Sequence, residues 1–497
     1  MDNSKGFLGH PKPLLSLSFV ELWERFSYYG IRPMLILFMS LAIADGGFGF
    51  SPEVASSIYG IFAGSLYLAA LPGGYLADKV FGQKNATLIG AIIIAFGNFL
   101  LASSCFLGNK VFFVGLLFIV LGTGLFKTCA SVMVGMLYPK GDSKRDSGFT
   151  IFYMGINIGS FIAPIICGAV KEKYGYHLGF AISGVGMLIS TLLYYFHTLP
   201  EFKKYANHHK FESGFDTPQG DKRKPILYLS MSLFLIAFIS FLAFFEFINI
   251  NPVYIAKNMI IGIIVISILY FLYLYFLAGL SNKDRKKLII FIMLFIASAF
   301  FWSCFEQKPT SFNLFAKHYT NHTILGYEFP IEWFQSINPF TIIIFAPIIS
   351  YFWIYMARKN REIDSFVKFS LGLILSALAF FIMYLAAKLV ISTNSSVSPI
   401  YLISCFWVLS IAELCLSPVG LSIMSQIAPS KISSSVMGLW FVSVSLGNVV
   451  AGIVGGKVKA DNVAQLPDIF MQFIIALIIV ASVILISRKW VLKLLKD

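Results

Sequence analysis

Residues 14–42 read LLSLSFVELWERFSYYGIRPMLILFMSLA, a long apolar run interrupted by Glu21, Glu24, Arg25 and Arg32. A bilayer core of about 30 Å takes about 20 residues of helix, so a run of this length spans it. An ionisable residue at that depth costs roughly 2.5–3.5 kcal/mol on insertion scales and needs a partner or a water-filled cavity. Glu21, Glu24, Arg25, Tyr28 and Arg32 fall at offsets 0, 3, 4, 7 and 11, which places them on one helix face. Arg25 lies about 16 Å into the core, too deep to snorkel, so that face turns towards protein. Two readings fit the stripe: a static ion-pair lock between helices, or a working cluster. Two acids, two arginines and the pair Tyr28 and Tyr29 are more polarity than a lock requires.

The rest of the chain follows the same pattern. Of its 497 residues 58% are hydrophobic and only 12% charged, more apolar surface than a water-soluble core hides. Apolar runs near 14–42, 53–77, 86–107, 111–137, 148–170, 178–199, 226–249, 258–280, 288–316, 332–356, 366–391, 399–427, 434–456 and 468–488 give fourteen predicted transmembrane helices. The first run is too long and too charged for a cleaved signal and reads as a true span. The net charge of +14 would suit a nucleic-acid binder, but the cations sit in alternate loops. About 26 Lys and Arg fall on one side and about 8 on the other, which predicts both termini in the cytoplasm. Cys105, Cys129, Cys167, Cys304, Cys405 and Cys415 lie in apolar segments without metal-ligand spacing and read as packing residues.

The polar stretch 201–225, with Lys203, Lys204, Lys210, Lys222, Arg223 and Lys224, divides the chain. It predicts an N-terminal six-helix bundle over 1–200, a cytoplasmic linker over 201–225, an inserted two-helix hairpin over 226–286 and a C-terminal six-helix bundle over 287–497. The hairpin's two helices, 226–249 and 258–280, carry one acid, Glu246, read as interfacial. Lys127 sits deep in the fourth span behind Gly122, Thr123 and Gly124, and its charge calls for an acid. Glu306 and Glu413, deep in the second half, are the candidates. Pro309, Pro339, Pro347 and Pro418 mark possible bends, read equally as tolerated kinks or gates. Asn157 and Asn338 are buried amides by position, either helix glue or substrate contacts.

Several stretches resemble the proton-dependent oligopeptide transporter family of the major facilitator superfamily. Glu21-Leu-Trp-Glu24-Arg25-Phe-Ser-Tyr-Tyr-Gly30 is similar to its Glu-x-x-Glu-Arg motif, and Gly73-Gly-Tyr-Leu-Ala-Asp78 with Gly82 and Lys84 to the superfamily's loop after the second helix. Gly122-Thr-Gly-Leu-Phe-Lys127 and Phe152-Tyr153-Met-Gly-Ile-Asn157-Ile-Gly159 look like the peptide-transporter signature region. Glu306-Gln307, Phe334-Gln-Ser-Ile-Asn338-Pro339, Glu413-Leu-Cys-Leu-Ser417-Pro418 and Met437-Gly-Leu-Trp440-Phe441 continue the resemblance through the second half.

The resemblance implies an all-α polytopic fold of the major facilitator type, two six-helix bundles plus the extra hairpin. It implies proton coupling by Glu21, Glu24, Arg25, Lys127 and Glu306, and gate pairs Arg32 with Glu306 and Lys127 with Glu413. Peptide would be held at its amino end by Glu413, Asn157 and Asn338 and at its carboxylate by Arg32 and Lys127. Tyr28, Tyr29, Tyr67, Ser417 and Trp440 would complete the substrate site. Two departures stand out: Lys308 directly after Glu306-Gln307, expected to compete with Arg32 for Glu306, and the run Ser433-Ser-Ser435, looser than the usual glycine-rich approach to its helix.

The expected function is symport of di- and tripeptides with protons into a bacterial cell across the inner membrane, by alternating access. No cofactor is expected beyond the proton gradient and no metal, with the lipid bilayer as environment, no nucleic-acid partner and a monomer as the working unit. Other readings are a proton-coupled carrier of another small solute, such as nitrate or an amino-acid-like molecule, and a peptide sensor that does not transport. An enzyme is not expected, since no Gly-x-Ser-x-Gly turn or nucleotide-binding loop is present.

Overall fold

The apolar runs fold as helices because lipid offers the backbone no hydrogen bonds, so each span must satisfy its own. A computed structural model describes residues 6–139, 142, 144–209, 215, 218, 222–324, 326–361, 363–428, 436–459 and 463–496. Most of the linker between 210 and 221, and the Ser433–Ser435 run, lie outside the described residues.

The helices in order are α1 Lys12–Met39, α2 Pro52–Leu76, α3 Gln83–Leu107, α4 Asn109–Met136, α5 Arg145–Tyr174, α6 Tyr176–Leu193 and α7 Leu199–His209, then α8 Arg223–Phe244, α9 Pro252–Leu272, α10 Asn282–Phe305 and α11 Ser311–Tyr319. A two-stranded hairpin, β1 Thr323–Ile324 and β2 Tyr327–Glu328, turns at Gly326 with φ of +80°. A 3-10 helix at Ile331–Ser336 leads into α12 Ile337–Arg358, followed by α13 Ser365–Thr393, α14 Ile400–Ile427, α15 Val436–Gly455 and α16 Leu466–Lys496. Among the described residues thirteen helical stretches are long and apolar enough to cross a membrane. α1 carries the charges quoted above, yet its 28 residues make about 42 Å of helix, so the fourteen predicted spans are accounted for.

One expectation needs correction. The ninth span, read as continuous over 288–316, breaks into α10 and α11 at Glu306–Thr310. Pro309 has no N–H to give, and the Thr310 and Ser311 hydroxyls instead bond the Glu306 carbonyl (3.1 Å) and the Gln307 side chain. Pro347 and Pro418 lie inside α12 and α14, and Pro339 lies in the first turn of α12. Cys105 is another exception: it is exposed, whereas the other five cysteines are buried, and all six are free thiols.

The chain forms two compact units, one of Met1–Met34 with Ser65–Asn251, the other of Leu35–Gly64 with Pro252–Asp497. In the first, α3 and α4 cross where glycines face each other. A Cβ on Gly90 would stand 2.7 Å from the Gly122 carbonyl, and one on Gly97 2.8 Å from that of Gly115. Small residues let these backbones touch, which replaces the hydrophobic drive that lipid removes. Gly155 and Gly159 of α5 admit the α1 backbone at Ser18 and Leu22 in the same way. α8 belongs to this unit; it buries only Pro225 and is tied to α4 by Lys110, whose ammonium meets Glu246 at 2.7 Å and the Phe244 carbonyl at 2.8 Å. In the second unit the start of α2 crosses α15 at Gly60 and Gly452, and α9 packs on α15.

Candidate functional site

In the first unit the predicted stripe of α1 is assembled as charged pairs. The Arg25 Nε donates to Glu21 Oε1 at 2.8 Å and lies 2.9 Å from Glu24 Oε2, while Glu24 is only 2% exposed. One guanidinium between two carboxylates is a charge-assisted arrangement that offsets much of the cost of burying all three. The scaffold is equally specific: Ser190 of α6 donates to the Val20 carbonyl at 2.7 Å, and Gly186 makes room for the Phe26 ring. Lys127 of α4 stands within Coulombic reach of Glu24 and lies 3.6 Å above the Tyr67 ring centroid. An electron-rich ring face receives part of the charge for which the sequence demanded an acid.

Arg32 is buried one turn from the tyrosines, its guanidinium carbon 5.9 Å from the Tyr28 ring centre and 5.5 Å from that of Tyr29. The two rings meet edge to face at 5.2 Å. Asn157 is buried, and its amide donates to the Tyr153 carbonyl of its own helix at 2.9 Å. That bond is intrahelical, so it is not a bond between helices.

In the second unit Asn338, at the start of α12, donates to Glu413 Oε2 at 3.0 Å and to Ser410 Oγ at 2.9 Å, both on α14. Ser417 follows Glu413 by one turn on the same face. Trp440 of α15 meets Trp302 of α10 edge to face at 6.2 Å and packs against Gly420 of α14. Glu306 is buried at the end of α10, and Lys308, two residues on, has its ammonium 3.3 Å from the Phe305 ring centre. The sequence reading missed Glu332, which is fully buried in the 3-10 helix before α12. Its position at the end of an apolar run looks interfacial, and the only signal was an acid immediately before Trp333-Phe334.

Outside the candidate spans, His318 at the end of α11 is pushed down to about 4 by burial and by neighbouring Lys317. His322 lies four residues on, its ring bonded to Glu328 at 2.7 Å. Among the described residues no three metal-ligating side chains cluster.

These paired charges follow the motifs in order, and residues 84–469 match the POT family. The chain belongs to the POT family. This POT-family protein is 48% identical over 481 residues to the peptide transporter YePEPT of Yersinia enterocolitica, covering 97% of this chain and 94% of the relative. It is 34% identical over 504 residues to the di-/tripeptide transporter of Lactococcus lactis, covering 99% and 98%. A crystal structure of the peptide transporter POT in complex with sulfate superposes with a TM-score of 0.90 at 33% identity, covering 99% and 98%. A POT family transporter in complex with a thioalcohol conjugated peptide superposes with 0.86 at 29% identity, covering 98% of each chain. The expected all-helical multi-pass fold is the fold of these POT structures.

Proposed function

We propose that the protein carries di- and tripeptides into a bacterial cell together with protons, by alternating access. The observation that carries this reading is the complement of charges that a zwitterionic peptide requires. One unit presents buried Arg32 and half-buried Lys127, suited to a carboxylate, and the other presents Glu413 held by Asn338, suited to an ammonium group. The names of the relatives and the peptide-bound POT structure support the same substrate class. In this reading Tyr28, Tyr29, Tyr67, Asn157, Ser417 and Trp440 line the peptide's path, and Ser417 shares its face with Glu413.

The proton-linked groups in this account are Glu21, Glu24 and Arg25 with Lys127 in the first unit, and Glu306 in the second. Protonating Glu24 removes a counter-charge from Arg25 and from Lys127 at once, because both lie within its field. The two carboxylates share one guanidinium. Arg32 and Glu306, and Lys127 and Glu413, act as gate pairs in the cycle. The driving force is the proton gradient, with no cofactor. The protein sits in the inner membrane as a monomer with both termini cytoplasmic, in keeping with the distribution of Lys and Arg.

Labelled trialanine offered to reconstituted vesicles, with unlabelled dialanine, nitrate and single amino acids as competitors, tests this reading. Competition by dialanine alone is expected. Nitrate or a single amino acid displacing the label as well as dialanine would point to another solute.

A further inference from the structure

Lys308 raises a physical problem that the transport reading leaves open. It is 2% exposed, two residues after Glu306, and so no more than ~7 Å from it between Cα atoms. An ammonium buried there competes for the Glu306 carboxylate unless another anion holds it, and the Phe305 ring meets only part of its charge. The 3-10 helix Ile331–Ser336 carries an acid of the right chemistry, Glu332. Side chains three apart eclipse in a 3-10 helix, so Glu332 and Gln335 project on one side. Gln335 marks where that side points: its Nε2 donates to the Lys308 carbonyl at 2.8 Å. Glu332 is 0% exposed, and an acid so buried is ionised only where a cation offsets its desolvation. Cys405 of α14 also lies within Coulombic reach of Lys308, but it carries no charge as a thiol.

We propose that Glu332 is the counter-ion of Lys308, and that it holds the Lys308 charge away from Glu306 so that Glu306 keeps its own role. Glu332 is then a positioning residue that acts through Lys308. The functional half of this inference rests on the proton-coupled reading above, whereas the pairing itself does not.

Four proteins test it: wild type, Glu332→Gln, Lys308→Met and the double variant. In detergent, each single change is expected to lower the melting temperature by roughly 5 °C or more, because it strands one buried charge. The double change is expected to return within about 2 °C of wild type. Losses that simply add would overturn the pairing. In vesicles, Glu332→Gln is expected to reduce gradient-driven trialanine uptake at least tenfold while counterflow exchange stays within about twofold, and adding Lys308→Met restores driven uptake. A purely structural role would depress both modes together and would overturn the positioning claim. Wild type that exchanges peptide but shows no driven uptake would refute proton coupling, while the melting cycle would still decide the pair. Should a single variant not survive purification, the double variant decides: recovery as folded, driven-uptake-competent protein supports the pairing, and a double variant as poor as the singles refutes it.

Discussion

Replacing Glu24 by the isosteric glutamine separates the structural and the coupling roles of the α1 cluster. In wild type the Arg25 Nε lies 2.9 Å from Glu24 and 2.8 Å from Glu21, so Glu24→Gln leaves the guanidinium one full counter-ion. Stranding a buried charge completely costs about 3–5 kcal/mol. Losing one of two ion-pair contacts costs less, offset further because a carboxylate no longer has to be desolvated. The variant is therefore expected to fold, with a melting temperature a few degrees down. Lys127 loses the same negative charge from its surroundings, so proton-driven uptake of trialanine is expected to fall at least tenfold while peptide counterflow survives. Arg25→Met should behave in the opposite way: it leaves two buried carboxylates with no guanidinium between them and should lose about 3–5 kcal/mol, part of it recovered by adding Glu24→Gln. Driven uptake at the wild-type rate in Glu24→Gln would refute the assignment of coupling to this cluster. Arg25→Met as stable as Glu24→Gln would refute the energetic argument.

Three further outcomes follow from named contacts. Asn338→Leu removes both hydrogen bonds to α14 and is expected to raise the KM for dialanine roughly tenfold, as about 1.4 kcal/mol of positioning at Glu413 is lost; an unchanged KM in a competition assay would contradict this. Gly122→Val places a branched side chain where a Cβ already stands 2.7 Å from the Gly90 carbonyl, and should cost several kcal/mol, read as loss of monodisperse protein on size exclusion. His318 has a folded pKa of about 4, below its unfolded value of about 6.5. Its contribution to stability is therefore present above pH 6.5 and lost as pH falls towards 4. It stays neutral across the pH range in which uptake is measured, so His318→Gln should leave the pH profile of uptake in place between pH 5 and 7, a comparison made at matched expression.

The spans and the α1 stripe were legible because both depend on short-range pattern. Twenty apolar residues make a span whatever surrounds them, and Glu21, Glu24 and Arg25 share a face by helical periodicity alone. The break at Glu306–Thr310 was half legible: Pro309 marked a bend, but the run of apolar residues on both sides concealed that the helix stops. Glu332 and the Lys127–Tyr67 contact were not legible, because each depends on which element packs against which. A carboxylate beside an apolar run looks exposed until the next element covers it. The crossing points at Gly90 with Gly122 and Gly60 with Gly452 were hidden for the same reason, since a glycine in a span carries no mark of its facing partner.

Proton movement with peptide tests the central claim most directly. Vesicles reconstituted with the protein, loaded with a pH-sensitive dye and given external trialanine under an inside-negative potential, are expected to acidify internally only when peptide is present, with the effect abolished in Glu24→Gln. Peptide entry without internal acidification, or acidification evoked by nitrate and not by peptide, would contradict proton-peptide symport.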